Sequence, residues 1–448
     1  MSTSATKPPR PNISVTDADA LESVAVALRT RPVWLRVGQL VDGFSASVIR
    51  DASVVFDADS VRFVGTNGQS PDASHVAPGY SAPDAVLPKA TLLPMLIEAH
   101  AHMFLDGAPI DPTDRENYLK RSADWMLDRA HTRWPKIMAC GVGAVRDAGD
   151  KYGVGLALSQ HSKLENGKRR TTPYVDSPGA AIHHRGRYGA FMGEPIEDFD
   201  TPVDCVDARV AAGADRIKLL VSGIINFKVG RVTAPPQMSA DEVSALVAAA
   251  RRCVRQSFAH ASGAAGIENA IRGGVDTIEH GFFITSEQLA RMRDQQVGWV
   301  PTFSPVALQL DRAAELGWDG EVVGHLRRIL AGHAEMLRYA HDVGVSIVAG
   351  SDAGSCGVPH GLGLLDELVH MERAGLPPLA VLQSATGNSA QLLDFPDPIA
   401  RIAPGHRSRM ILTNHDPVVS VANLQSGKTI FFDGQVIDCP DRLDPSGL

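Results

Sequence analysis

The sequence predicts an α/β protein, a (β/α)8 TIM barrel with a small β-sandwich built from both chain ends. Three observations predict it. Between residues 92 and 403, short apolar runs alternate with amphipathic helical stretches, eight times over. Two β-like segments, one near each end, bracket that alternation. Lone polar side chains also recur at the C-terminal ends of the apolar runs, where strands of such a barrel would converge.

The elements follow in order. Residues 1–30 form a polar, Pro-rich leader with no apolar h-region, expected to be disordered or to hold a short helix around Ala18 to Leu28; it does not read as a secretory signal. Residues 31–91 carry "VWLRVGQLVDG", "ASVVFDADSVRFVG" and "DAVLPKATLLP", short alternating runs parted by Asp, Gly and Asn turns. Residues 404–440 repeat the style in "RIAPGHRSRMILTNHDP" and "GKTIFFDGQVID". These two segments make the composite sandwich, and 92–403 the barrel. Its strands are expected at 92–100, 142–147, 174–183, 214–222, 256–261, 275–280, 298–303 and 345–351. Helices are expected between them, for example at 240–254 and 322–342. A doubly wound open sheet is the competing arrangement, but the nearest phosphate-loop phrase, "GLGLLDE", falls inside a helical stretch.

Composition narrows the function classes. The chain has 448 residues, 44% apolar and 21% charged, with a net charge of −8. It has no basic block and no apolar run of bilayer length, so neither nucleic acid nor membrane is an expected partner. Five scattered cysteines without a CxxC argue against a disulfide framework and against a structural zinc site. A cytoplasmic protein acting on a small molecule is expected, and self-association into a homo-oligomer is left open.

The chemistry begins at "LLPMLIEAHAHMFLDG". His100 and His102 are two apart on a strand, so they share a face with Cβ atoms roughly 7 Å apart, close enough for one metal ion. Taken alone, the pair is equally compatible with two satisfied core histidines. The other strand ends decide between these. Strand 2 ends in Arg146 and Asp147, strand 3 in His183 and His184. Lys218, His260, His280 and Asp352 follow on strands 4, 5, 6 and 8. Imidazole and carboxylate are ligands for zinc and its neighbours. An ammonium cannot ligate, but a buried lysine can lose its proton and take up carbon dioxide as a carbamate whose oxygens bridge two ions.

This pattern, with the phrases "VRDAGD", "GADRIKLLVSG", "AHASG", "IEHG" and "AGSDAGS", closely resembles the metal-dependent amidohydrolase superfamily. Within it the chain is most similar to the prolidase-like and imidazolonepropionase-like branch, and less so to the phenylurea and thiocarbamate hydrolases. The resemblance implies two divalent ions, zinc by default, with cobalt, manganese and iron suited to the same ligands. It implies that His100 and His102 bind the more buried ion, that carboxylated Lys218 bridges the pair, and that His260 and His280 bind the more exposed ion. Asp352 would bind the buried ion and serve as catalytic general base and then acid, toward a metal-bridging hydroxide.

The implied reaction is hydrolysis of a C–N bond in a small amide, urea or carbamate, with aryl urea or N-acyl substrates favoured. The alternative is a dipeptidase, prolidase-like peptidase or N-acyl amino acid hydrolase. A mononuclear deaminase is disfavoured, because "AHASGAAGIE" puts Glu268 far beyond His260. Dipeptidase-like relatives carry a "TGGHG"-like phrase after strand 3, whereas this chain reads "AIHHRGRYG". Tyr188 stands where the His of that phrase would be, and His183, His184 and Arg187 are further substrate-contact candidates, with Arg185 an alternative cation. Ile224, Ile225 and Phe227 would make the pocket apolar, as would Phe282, Phe283, Phe303 and Trp299 where their loops face the mouth. His333, His341 and His370 are placed on the outer helices, His360 near the mouth, and Arg146 with Asp147 as a structural pair beneath the site. Met95 and "SRMIL" depart from the family pattern only in packing.

Overall fold

The structure, a computed structural model, describes residues 17–165, 168–395 and 399–439. The first sixteen residues of the leader lie outside the described residues. The expected short helix spans Asp17–Leu28. Its Val24 and Leu28 are buried against Leu35, Leu92 and Phe431.

That helix covers a seven-stranded sheet drawn from both ends of the chain. Its strands, in spatial order, are Gln435–Cys439, Lys428–Phe432, Arg409–Thr413, Ala85–Pro94, Val33–Leu40, Ile49–Phe56 and Val61–Gly65. Ala85–Pro94 pairs antiparallel with Arg409–Thr413 and parallel with Val33–Leu40, so it joins the two chain ends. Phe56 and Phe431 lie four strands apart in that order, which is about 19 Å in a flat sheet. Their ring centroids are 5.0 Å apart. The sheet therefore folds over on itself, and the Val61 amide and carbonyl bond to His406 and Gly405 across the fold.

Residues 92–94 belong to this sheet rather than to the first site strand, where the sequence reading put them. The chain changes partners at Met95. Met95 N–H still donates to Arg409, Leu96 N–H donates to Gly141, and Pro94 has no N–H to extend either ladder. Met95 is fully buried and its Cβ stands 3.0 Å from where a side chain on Gly143 would begin, so the Met–Gly pair packs as a unit.

The middle of the chain is mixed α/β with parallel strands. Leu96–Ala101, Val142–Asp147 and Tyr174–Asp176 form one parallel sheet. Gly298–Val300, Thr277–His280, Ser257–Ala261, Ile217–Leu220, Ala181–His183 and Gly193–Pro195 form another. Nearly every position in the strands at 96–101, 142–147, 217–220, 257–261 and 277–280 is buried, as expected of parallel strands covered on both faces. The expected strand 174–183 is split in two at Pro178 and Gly179, where the glycine is left-handed (φ 62°). Residues 345–351 form isolated bridges instead of a regular strand. Ile347 bridges Trp299, Ala353 bridges Ala101, and Ala99 N–H donates to Ala349 while Val348 N–H donates to Trp299. This segment thus runs between the edge strands of the two parallel sheets. Gly350 permits the passage, since a Cβ there would lie 2.6 Å from Val300 Cγ1 and 2.8 Å from His100 N.

Helices lie close to expectation. Ala240–Arg252 opens on a Ser239/Glu242 capping box. Gly320–Val343 opens on Asp319, which accepts from two backbone amides, and closes on left-handed Gly344. Among the described residues no helix is long and apolar enough to cross a membrane.

Candidate active site

The register of the parallel strands sets the site. Leu220 pairs with His260, and Ala261 with His280, so the polar residues step around neighbouring strand ends. His100 and His102 come to the same place from Leu96–Ala101 and the residue after it. Asp352 arrives from the bridged segment, its N–H donating to the His100 carbonyl.

All six predicted ligand candidates meet at one cavity of about 340 Å³. Asp352 Oδ1 lies 3.6 Å from His100 Nε2 and 3.4 Å from His102 Nε2. These three residues hold their ligand atoms within 4.8 Å of one another. The rings of His260 and His280 are 4.5 Å apart, and His100 and His280 are 5.1 Å apart.

Each imidazole is oriented by the nitrogen it turns away from the cavity. His100 Nδ1 bonds the Glu279 carboxylate at 2.5 Å. His102 Nδ1 faces the Gly149 carbonyl at 3.3 Å, and His280 Nδ1 faces Thr302 Oγ1 at 2.7 Å. In His260 the roles reverse: Nε2 lies 3.5 Å from the Gly223 carbonyl, leaving Nδ1 for the site. A ring nitrogen that donates outward leaves the other with a free lone pair. The Glu279 carboxylate is itself held by the Arg146 guanidinium at 2.9 Å and the Thr277 hydroxyl at 2.6 Å.

The electrostatics suit ligation. Burial first, and the Lys218 charge next, hold His100 and His102 well below the usual histidine range. Burial and then His260 do the same for His280, and burial with Lys218 brings His260 to about 3. All four imidazoles are therefore neutral at pH 7, the form that can bind a cation. Burial lowers the Lys218 ammonium to about 8 and raises the Asp352 carboxyl to about 6. Lys218 Nζ, His100 Nε2 and Asp352 Oδ1 are buried without a hydrogen-bond partner. Leaving three such atoms unsatisfied is costly unless something binds them. The donor set of nitrogen lone pairs and a carboxylate fits a divalent metal ion. His280, Asp352 and Thr302 also adopt left-handed backbone (φ 70°, 57° and 51°), strain of a kind that gathers at functional sites.

The remaining candidates divide. Tyr188 lines the cavity with its ring 5.1 Å from His260. Ile224, Ile225, Phe227 and Phe282 line it too. Other predicted wall residues turn elsewhere: Phe303 packs on His333, Phe283 joins the cluster around Leu326, and Trp299 Nε1–H donates to the His280 carbonyl. The structure does not bring His183, His184 or Arg187 to the cavity wall. His183 Nδ1 bonds the His184 carbonyl. His184 is clamped between Glu197 at 2.7 Å and Glu242 at 3.2 Å. Arg187 reaches out to the Pro235 carbonyl, and Arg185 pairs with Asp198. Backbone carbonyls hold His183 and Arg187, and carboxylates hold His184 and Arg185. Arg146 and Asp147 do lie buried beneath the site but are not a pair with each other. Arg146 goes to Glu279, and Asp147 accepts from Ser177 and the Met103 amide. His360 bonds the Leu105 carbonyl. His333 is on the helix Gly320–Val343, as expected, with its ring on the buried face, stacked 4.3 Å from Phe282.

Sequence reasoning missed Glu98, Glu279 and Arg115. Glu98 accepts from the His100 amide and from Ser351. A carboxylate inside an apolar strand, as in "LIEAHAH" and "TIEHGF", was the available signal. Arg115, in the short helix Pro112–Tyr118, lines the cavity, and nothing local in its sequence marks it.

A mixed α/β chain that gathers imidazoles, an amine and a carboxylate in a cavity at parallel strand ends is built as a metal-using hydrolase. The comparison with known families places it: the amidohydrolase family profile matches residues 91–437, and the chain belongs to that family. It is therefore an enzyme, a hydrolase acting on carbon–nitrogen bonds, in a family that generally uses a divalent metal. Over 425 residues it is 24% identical to an ochratoxinase of Aspergillus niger, covering 88% of this chain and 83% of that one. The crystal structure of a Xaa-Pro dipeptidase with methionine bound in its active site superposes with a TM-score of 0.72 at 25% identity, covering 91% of this chain and 100% of that one. Phenylurea hydrolase B superposes with a TM-score of 0.70 at 16% identity, covering 91% and 96%, a likeness of fold alone.

Proposed function

We propose that this chain hydrolyses the C–N bond of a small amide, urea or carbamate at a two-metal centre. The observation that carries the reading is the set of buried, unpartnered atoms, Lys218 Nζ, His100 Nε2 and Asp352 Oδ1, in a cavity shared with three more neutral imidazoles. His100, His102 and Asp352 would hold one ion, His260 and His280 the other, with Lys218 as a carbamate between them. When bound, the ions supply Lewis acidity and lower the pKa of water. The chain's own residues do the rest. Asp352 takes the proton given up by the attacking water and delivers it to the departing nitrogen, while the Ser355 hydroxyl steadies Oδ2 at 3.0 Å. Tyr188 lines the cavity beside His260. Ile225, Phe282 and Val306 present an apolar wall that excludes water and seats an uncharged group. The names of the relatives, ochratoxinase, Xaa-Pro dipeptidase and phenylurea hydrolase, agree with a carbon–nitrogen substrate.

The fold that goes with this reading is a closed eight-stranded barrel over 95–403 (the chain to residue 94 belonging to the other sheet), with a composite sandwich from 31–94 and 404–439. The bridges from Ile347 to Trp299 and from Ala353 to Ala101 support the closure.

The test is metal content per chain, with reconstitution of apoprotein with and without bicarbonate. Two ions per chain and bicarbonate-dependent activity are expected. One ion, indifferent to bicarbonate, would remove the bridging carbamate; no uptake at all would sink the two-metal reading.

A further inference from the structure

The helix Ser304–Asp311 gives the cavity one of its walls. It starts just after Thr302, whose hydroxyl meets His280 Nδ1 at 2.7 Å. Pro305 and Val306 precede Gln309 by four and three residues, so the three share a helix face, and all three line the cavity. A rise of about 1.5 Å per residue puts Gln309 roughly 6 Å farther along the helix than Pro305. Gln309 is the one carboxamide among the described residues lining the cavity, and the chemistry above does not use it.

The orientation of that amide is fixed from behind. Trp318 Nε1–H donates to Gln309 Oε1 at 3.0 Å. An indole nitrogen only donates, so the amide atom facing it is the oxygen. The Nε2 amino group is left with two N–H donors and no hydrogen-bond partner among the described residues. Trp318 packs beside Phe227, with ring centroids 6.3 Å apart, and both border the apolar cluster of Ile225, Phe282 and Val306. A neutral donor therefore stands at the edge of the apolar wall, a helical turn beyond Pro305. A charged group there would give up its hydration for an uncharged partner, whereas a neutral oxygen gives up far less.

We propose that Gln309 determines specificity at the apolar end of the substrate, donating from Nε2 to a neutral oxygen acceptor there, such as a ketone or an ether. Trp318 is its positioning residue, holding the amide with the donor toward the cavity. The proposal deepens the hydrolase reading and rests on it for the seat of the reacting bond. Phenyl benzyl ketones, in which a methylene replaces the amide nitrogen, are uncleavable probes that separate the two. Each carries, on one ring or the other, a 4-acetyl group or a 4-isopropenyl group, which keeps the shape and lacks the acceptor. Calorimetry with the full, metal-loaded chain should show the acetyl compound binding about fivefold tighter than its isopropenyl partner at one of the two ring positions, the scale of one hydrogen bond. Gln309→Leu should abolish that preference by weakening the acetyl compound alone. Trp318→Phe should reduce it, because the released amide can turn its oxygen to the ligand. A preference that survives in Gln309→Leu would place the donor elsewhere and overturn the proposal. Equal weakening of both compounds would make Gln309 merely a prop for Trp318 and overturn it too, as would no preference, or no binding, at either ring position in the wild type. A Gln309-dependent preference among the ketones, with no hydrolysis of the matching benzanilides, would uphold the subsite and sink the hydrolase reading. Hydrolysis of the acetyl and isopropenyl benzanilides with equal kcat/KM would do the reverse.

Discussion

Lys218 shows what a single residue can carry. Its stem lies beside Phe258, with Nζ 4.5 Å from the ring centroid, and its amine faces the cavity without a hydrogen-bond partner. Lys218→Met keeps the volume and removes the nitrogen. The expected outcome is loss of bicarbonate-dependent metal uptake and a fall in kcat of about a thousandfold or more, the scale of removing a principal electrostatic element. Metal analysis of the variant checks it, and unchanged stoichiometry would show that Lys218 bridges nothing. His333 tests burial instead. It donates to the Pro301 carbonyl at 2.9 Å, and burial lowers it to about 3. Its folded pKa is depressed, so its contribution is present above the unfolded value near 6.5 and is lost as pH falls toward 3, where the unfolded chain takes up a proton that the native imidazole refuses. His333→Gln keeps an N–H donor and cannot titrate. Between pH 7 and 5, urea unfolding should show wild type losing about 2 kcal/mol more than the variant. Equal losses would mean that His333 titrates alike in both states.

At the scale of elements, the bridged segment 345–353 is the weak point of the site. It has no regular strand ladder, yet it delivers Asp352 between two strands. Gly350→Ala would drive a Cβ against Val300 and the His100 backbone. Overpacking of this kind costs about 1–3 kcal/mol, and here it should also push Asp352 from His100 and His102. The expected result is a lower Tm together with weaker metal binding. Gly344→Ala is the control: Gly344 is left-handed (φ 86°), as Gly350 is not, and a Cβ there meets nothing within 4 Å. It should cost about 1 kcal/mol and leave metal content alone. Equal effects of both on metal would remove the special role of Gly350. Strand identity was legible in the chain because buried parallel strands are continuous apolar runs. The break at Pro178–Gly179 and the partner change at Met95 were not, because they depend on which neighbour offers a hydrogen bond.

At the scale of the whole molecule, the two chain ends depend on each other. Ala85–Pro94 needs Arg409–Thr413 as its antiparallel neighbour. The buried Arg409 guanidinium needs the Asp433 carboxylate at 2.7 Å, which also accepts from the Arg170 amide in the middle of the chain. A chain ending before Arg409 would expose a long apolar edge and is expected to lack a cooperative melting transition. A truncated chain that melts cooperatively at the wild-type Tm would show that the seven-stranded sheet is dispensable.

The sequence by itself determined the α/β class, the family resemblance, and the six ligand candidates that meet in the cavity, because polar residues closing apolar runs and the family's local phrases are legible without reference to distant contacts. Only the tertiary structure decided what surrounds them. It turned His184 and Arg187 outward, set Glu279 behind His100, and put Arg115 on the cavity wall. Each of those depends on a partner far away in the chain, as with Glu279 and His100, 179 residues apart, or Arg115 and Cys356, 241 apart. Local pattern carries no record of such partners; the folded packing alone brings them within hydrogen-bonding reach.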